Sequence, residues 1–165
     1  SHMTGDYMII QDADTEYDPQ EHARFTAEID KNGYAALFGS RVLGGQAIYE
    51  YAHAYWGVRL LTTTTNVLFG GNLTDVATAT KMVRKDVLEE LNLVGTHFDL
   101  DFELPCKILK AGHQIHEIPI SYKPRTYAEG KKITIKDGLK ALQVIIQNRF
   151  WPTPLYKRDL QSSSA

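Results

Sequence analysis

Short apolar segments alternate with longer segments of helical periodicity along the chain. Four of the short segments, partly β-branched and bounded by polar or glycine-containing stretches, predict strands over residues 7–11, 34–38, 79–83 and 114–122. Pro119 lies within the last of them and has no N–H to donate to a neighbouring strand, so this strand is expected at a sheet edge.

Helical patterns lie between and after these strands, over about 19–30, 47–69, 85–92 and 102–111 and from 134 to about 150. Asp18 followed by Pro19 and Glu21 indicates an N-cap, a first-turn proline and a capping-box acid. In the second helix, four consecutive threonines at 62–65 have weak helix propensity, and a break is expected there.

The two C-terminal helices carry more specific expectations. If Asp101 is the N-cap of its helix, Pro105 falls in the first turn, where a missing N–H costs little. Thr134 and Asp137 begin the last helix. One apolar face follows from its spacing, formed by Ile135, Leu139, Leu142 and Ile146.

Alternation of strands and helices predicts an α/β fold, a mixed sheet covered by helices on both faces. At 165 residues the chain fits one domain. Residues 1–3 resemble an expression-vector scar, 4–150 form the domain and 151–165 a tail. Ligands in such sheets bind beyond the carboxyl ends of strands, where the acidic segment after residue 11 and Gly39-Ser40-Arg41 are both expected.

Net charge, cysteine count and the length of apolar runs limit the partners and locations that we expect for this chain. Eighteen Lys and Arg against 20 Asp and Glu give a net charge of -2, so nucleic acid is not expected as a partner. The single cysteine, Cys106, cannot form an intramolecular disulfide and favours a reducing, cytoplasmic location. No apolar run approaches the roughly 18 residues that span a bilayer.

Acidic residues follow the first predicted strand directly. Asp12 and Asp14 are two positions apart, a spacing that can offer both carboxylates to a hard cation such as Mg²⁺ or Mn²⁺, which in turn can hold a diphosphate. Acids after a strand also commonly cap turns, and the motif alone does not separate the two readings.

Basic residues just past a strand, in the 47–69 helix and in the loop after the last strand are candidates for binding phosphate oxygens. Arg41, Arg59 and Arg125 offer rigid guanidinium donors, and Lys131 lies in the same basic loop as Arg125. Taken individually, each is more often a solvated surface residue, and a flexible loop lysine more so. Asp75, in a loop, is a candidate for orienting a nucleophile or acting as a base, or for capping a turn. Hydrolase, P-loop and dinucleotide-binding signatures are absent from the sequence.

Four segments in order resemble the family 2 glycosyltransferases of the dolichyl-phosphate mannosyltransferase and polyprenyl-phosphate glycosyltransferase type. They are DADTEYDP, LFGSRVLGG, GVRLLTTTTNVLFGGNLTDVATATKMVRKDVLEEL and FDLDFELPCKILKAGHQIHEIPISYKPRTYAEGKKITIKDGLKAL. The resemblance implies a GT-A fold and inverting transfer of a sugar from a nucleoside-diphosphate sugar, with Mg²⁺ or Mn²⁺, onto a polyprenyl or dolichyl phosphate or similar acceptor.

The family resemblance also implies roles for individual residues at the matching positions of this sequence. The resemblance makes Asp12 a nucleotide-side contact, Asp14 the metal ligand and Asp75 a residue near the site of transfer. It makes Arg41, Arg59 and Arg125 phosphate contacts, with Lys131 beside them. It also implies that the aromatic helix over 47–69 and the last helix lie at a membrane interface, peripherally. The alternative is that their apolar faces pack on the sheet, which we expect for the last helix.

One part of the family pattern has no counterpart here. Family members begin with a strand–loop–helix segment that holds the nucleobase and ribose, and nothing before Tyr7 matches it. We therefore expect the C-terminal part of a GT-A domain, inactive or weak alone, with an exposed edge on the 7–11 strand that favours homo-oligomers. The alternative is a binding module that needs a partner.

Overall fold

The computed structural model describes residues 3–12, 15–43, 52–96, 98–125 and 134–150. The strands are β1 (Tyr7–Ile10), β2 (Ala36–Ser40), β3 (Lys81–Arg84) and β4 (Ile115–Pro119). The helices are α1 (His22–Asn32), α2 (Ala52–Phe69), α3 (Lys85–Glu90), α4 (Phe98–Lys110) and α5 (Ile135–Phe150), and a 3₁₀ turn, Pro19–Glu21, precedes α1. Asp14, Lys131, residues 47–51 and the 151–165 tail lie outside the described residues.

The described residues form one mixed sheet in the order β1-β3-β2-β4. β3 runs antiparallel to both β1 and β2, with Met8 opposite Val83 and Leu37 opposite Met82. β2 and β4 are parallel, so their carboxyl ends meet where Ser40 lies opposite Pro119. The predicted edge position of β4 is confirmed.

Helices cover both faces of this sheet, as expected. On one face, Leu37 and Ile120 pack against Phe25 and Ile29 of α1. On the other, the core residues come from β2, β3, α3 and α4: Ala36, Phe38, Val83, Val87, Leu104 and Ile108. α2 and α5 pack with α4 around a separate cluster that includes Leu61, Phe102, Cys106, Val144 and Ile145.

The N-terminal helix follows its sequence signals with one exception. Asp18 accepts a hydrogen bond from the Gln20 N–H at 2.9 Å and caps the 3₁₀ turn, and Gly33 ends α1 at φ 65°. Glu21 is not a capping-box acid, because its Oε1 accepts from the Ser121 N–H instead, at 2.9 Å.

Two helix predictions are wrong. α2 runs unbroken through the threonines, and Thr64 and Thr65 satisfy their hydroxyls within the helix by donating to carbonyls four residues earlier. α4 begins at Phe98 rather than after Asp101, which places Pro105 in its interior. Burial of the apolar face around Phe102 and Leu104 outweighs the one backbone hydrogen bond that the proline removes.

The expectation that the predicted apolar face of the last helix packs on the sheet is also wrong. Ile135 and Leu139 are 77% and 63% exposed, and Ile146 is exposed as well. α5 has a second stripe of smaller residues, including Ala141 and Val144, and that stripe packs against α2 and α4. Of the original four residues, Leu142 alone packs against this cluster.

Candidate functional site

A buried ion pair lies just beyond the carboxyl end of β2. The Arg41 Nε donates to Asp75 Oδ2 at 2.6 Å, and its Nη2 donates to Oδ1 at 2.7 Å. The Arg41 backbone N–H donates to Oδ2 as well, at 3.1 Å. The structure thus brings together two predicted site residues that are 34 positions apart in sequence.

Burial explains why the two charges must pair. Asp75 is fully buried and Arg41 is 7% exposed, and an isolated ion at that depth is costly. The two-pronged contact compensates both charges and engages both carboxylate oxygens. An Asp75 carboxylate held in this way is suited to fixing the position of the Arg41 guanidinium.

Hydrogen bonds from three directions hold the loop that carries Asp75. Asn66 of α2 bonds both the N–H and the carbonyl of Leu73, at 2.9 and 2.8 Å. Glu117 of β4 accepts from the Thr74 N–H at 2.7 Å and from the Asp75 N–H at 3.0 Å. The Ser40 and Thr74 hydroxyls are 2.6 Å apart, which ties the loop to the end of β2.

Two tyrosines flank the ion pair. The Arg41 guanidinium lies over the Tyr122 ring, 5.0 Å from its centroid, and the Tyr17 ring lies 5.3 Å from that of Tyr122. Burial raises the pKa of Tyr17 above its ordinary value; the Asp75 charge adds to this shift and the Arg41 charge opposes it. Burial also raises the pKa of Tyr122, so both phenols are neutral at pH 7.

Glu16 connects the acidic segment to the segment that leads into the basic loop. Its Oε1 accepts from the Arg125 N–H at 2.7 Å and lies 3.6 Å from the Arg125 Nε. Its backbone carbonyl accepts from the Lys123 N–H at 3.0 Å. These contacts place Glu16 beside Arg125, at the start of the basic loop.

The other predicted site residues are less closely joined. Asp12 lies two residues beyond the end of β1, whereas Asp14 and Lys131 fall outside the described residues. Arg59 lies half-buried on α2, one turn after Trp56, and among the described residues it makes no ion pair or hydrogen bond with this cluster. Within the described ranges no three His, Cys, Asp or Glu side chains converge as a metal site.

Sequence reasoning missed the residues that assemble the cluster, namely Glu16, Tyr17, Ser40, Thr74, Glu117 and Tyr122. A signal existed for Glu117 alone. It shares a sheet face with its neighbour Phe38 on β2 and with Ile115, where an apolar residue is the norm. The others resemble ordinary turn and surface residues until the strand ends are placed.

Comparisons with known proteins identify the family of the chain. The family model described as "Glycosyl transferase family 2" matches residues 1–92. A low-salt glycan biosynthesis hexosyltransferase, Agl6, of Haloferax volcanii is 27% identical over 151 residues, covering 88% of this chain and 36% of the relative. A polyprenol monophosphomannose synthase of Mycolicibacterium smegmatis is 24% identical over 131 residues, covering 75% of this chain and 48% of the relative. The chain thus spans less than half the length of either relative.

Proposed function

The chain belongs to glycosyl transferase family 2, and from this premise we propose that its site serves inverting transfer of a sugar from a nucleoside-diphosphate sugar to a polyprenyl or dolichyl phosphate or similar phosphate acceptor. The mixed sheet with helices on both faces is consistent with part of a GT-A fold. One relative's name, polyprenol monophosphomannose synthase, supports the choice of acceptor class.

The observation that carries this proposal is the convergence of four separated sequence segments on one strand end. Tyr17 comes from the acidic segment, Arg41 from the segment after β2, Asp75 from the loop after α2 and Tyr122 from the segment after β4. These are the segments on which the family resemblance rests.

A divalent cation is part of the proposal. Asp14, with Asp12, would hold Mg²⁺ or Mn²⁺, and the described residues supply one of these carboxylates, Asp12, two residues beyond the end of β1. When bound, such a cation neutralises the charge on a diphosphate leaving group. We assign Arg41 and Arg125 to the phosphate-bearing side of the site, with Arg59 and Lys131 as further candidates.

The proposed reaction does not require a strong general base from the protein. A phosphate acceptor is already ionised at pH 7, so its oxygen can attack the anomeric carbon as the bond to the diphosphate breaks, with inversion. Both Asp75 carboxylate oxygens accept hydrogen bonds from Arg41. We therefore assign Asp75 the role of positioning Arg41 on the phosphate-bearing side of the site.

Exposed apolar residues on α2 and α5 support a location at a membrane surface. Trp56, Leu60 and Val67 of α2 are 68%, 58% and 77% exposed, and α5 adds its own exposed stripe. The two helices contact each other. Among the described residues, no helix combines the length and apolarity required to cross a bilayer. A peripheral, cytoplasmic-side position with α2 and α5 toward the lipid would bring a lipid-linked acceptor to the protein.

Calorimetry tests the donor half of this proposal. UDP-sugars and GDP-sugars are titrated into the chain with and without Mn²⁺. The proposal predicts Mn²⁺-dependent heat with at least one donor. The absence of metal-dependent heat with every donor would contradict donor binding by this chain.

A second candidate is a binding module that self-associates or acts with a partner. The observation in its favour is that β1, within the described sheet, pairs with β3 on one side and is an edge strand on the other. Light scattering at high protein concentration tests this candidate. A dimer or larger species supports it, and a monomer at all concentrations counts against self-association through that edge.

A further inference from the structure

Glu117 is a carboxylate on a sheet face that is otherwise apolar. It lies opposite Phe38 in the parallel pairing of β2 and β4, and both Phe38 and Ile115 belong to the cluster under α4. Desolvation there raises the pKa of Glu117, an effect that its hydrogen bonds oppose. A carboxylate at such a place must be hydrogen-bonded to offset its desolvation, and an apolar side chain could not make these hydrogen bonds.

The partners of Glu117 are three donors from two consecutive residues. Oε2 accepts from the Thr74 N–H at 2.7 Å and from the Thr74 hydroxyl at 2.9 Å, and Oε1 accepts from the Asp75 N–H at 3.0 Å. A carboxylate has two acceptor oxygens, so it can accept from two adjacent backbone N–H groups at once. Glu117 therefore fixes the backbone from which the Asp75 side chain reaches Arg41.

Hydroxyl protons extend this arrangement to β2. Because the Thr74 hydroxyl hydrogen points to Glu117, the Ser40 hydroxyl must donate in the 2.6 Å contact between Ser40 and Thr74. The Ser40 oxygen in turn accepts from the Val42 and Leu43 N–H groups, at 3.2 and 3.1 Å. Through Thr74, the Glu117 carboxylate thus orients the Ser40 hydroxyl, which precedes Arg41 and accepts from the two N–H groups that follow it.

We propose that Glu117 is a positioning residue of this site: it holds the Thr74–Asp75 backbone so that the Asp75 carboxylate locks the Arg41 guanidinium. Its relevance to sugar transfer rests on the proposed function, but the locking itself is a property of the chain alone. The competing explanation is that Glu117 only anchors a loop to the sheet.

Glu103 provides a matched control. It is fully buried on α4 and, like Glu117, accepts from two consecutive backbone N–H groups, those of Val94 and Gly95. It also pairs with Lys107 at 2.8 Å. Glu103→Gln therefore disturbs a loop anchor of the same kind without touching Arg41 or Asp75.

The test is hydrogen exchange of the Arg41 Nε–H, followed by nitrogen-15 NMR and assigned with the Arg41→Lys variant. In the wild-type chain this proton is buried and donated to Asp75, so it exchanges slowly. Glu117→Gln places an amide N–H against a backbone donor, and we expect exchange at least about tenfold faster, the equivalent of one hydrogen bond to a charged group. Glu103→Gln should leave the rate unchanged.

Two results would overturn the proposal: an unchanged Arg41 rate in Glu117→Gln, or equal acceleration in both variants. If Glu117→Gln does not fold, Glu117→Asp replaces it, since this change keeps the charge but shortens the reach to the Thr74 and Asp75 N–H groups. Faster Arg41 exchange in Glu117→Asp then supports the proposal, and an unchanged rate refutes it. No sugar nucleotide enters this measurement, so a failure of donor binding contradicts the proposed function and not the role of Glu117.

Discussion

The end of β2 buries charged and polar side chains, whereas the outer faces of α2 and α5 expose large apolar side chains. At the end of β2 an arginine, two acids and two hydroxyls are packed among core residues and satisfy one another. On α2 and α5, large apolar side chains such as Trp56 and Ile135 face outward. In the first region, charged groups with fixed positions occupy space that apolar side chains would normally fill. In the second, apolar surface stays exposed and can contact another apolar surface.

This contrast separates two requirements of the proposed reaction. Phosphate groups need donors held in fixed directions, and a low-dielectric setting strengthens each such contact. A lipid-linked acceptor needs a surface that tolerates hydrocarbon. The four predictions below test whether the two regions differ as described, in order of decreasing effect on the free energy of unfolding.

The largest effect is expected for Asp75→Ala, which leaves Arg41 buried without its carboxylate. The expected loss is about 3–5 kcal/mol of unfolding free energy, measured by urea denaturation. The double variant Arg41→Leu, Asp75→Leu should lose less, because it removes both charges. Asp86→Ala, which breaks the exposed pair with Arg84, should leave stability nearly unchanged. Similar losses of unfolding free energy in Asp75→Ala and Asp86→Ala would contradict the distinction between the buried and the exposed ion pair.

The same glycine-to-alanine change should have opposite signs in the two regions. A Cβ on Gly39 would lie 2.6 Å from the Ile120 Cδ1, so Gly39→Ala should cost about 1–3 kcal/mol through overpacking. Gly138→Ala on α5 meets nothing within 4 Å and should stabilise by about 0.5–1 kcal/mol through helix propensity. Both are measured by urea denaturation, and a stabilising Gly39→Ala would contradict the close packing of β2 on Ile120.

A smaller, pH-dependent effect is expected at the start of α5. Asp137 accepts from the Thr134 N–H at 2.7 Å and from its hydroxyl at 2.8 Å, and these bonds hold its pKa below the ordinary value. A depressed pKa means that the stabilisation is present above the unfolded-state pKa and is lost as pH falls through the folded-state pKa. Asp137→Asn should therefore cost about 0.5 kcal/mol at pH 7. In acid, where the wild-type carboxyl is protonated, the difference should vanish; a constant difference across pH would argue against this cap.

The smallest effect on folding is expected on the exposed apolar stripe. Leu139→Gln should change the unfolding free energy by less than about 0.5 kcal/mol, while the buried control Val144→Gln should cost several times more. In vesicle co-sedimentation, Leu139→Gln combined with Trp56→Ser should weaken membrane association. Unchanged association would count against α2 and α5 as the lipid-facing surface.

The sequence predicted the strands, the sheet class and the edge position of β4, because alternation and proline placement act locally. It failed where two local patterns competed. α5 carries two apolar stripes, and the choice between them depends on the shapes of α2 and α4. Pro105 is tolerated inside α4 because the burial of neighbouring residues compensates for it. Arg41 and Asp75 were each predicted, but their pairing depends on a loop held by Glu117, a contact across 42 positions.

We propose that the buried Arg41 cluster, and not general surface charge, recognises the phosphates of a sugar nucleotide. Calorimetric titration of Mn²⁺ with GDP- and UDP-sugars into wild type, Arg41→Lys and the exposed control Arg84→Lys tests it most directly. A lysine cannot reproduce the two-pronged contact with Asp75, so we predict at least about tenfold weaker binding in Arg41→Lys and wild-type affinity in Arg84→Lys. Equal affinities in all three proteins would contradict the account.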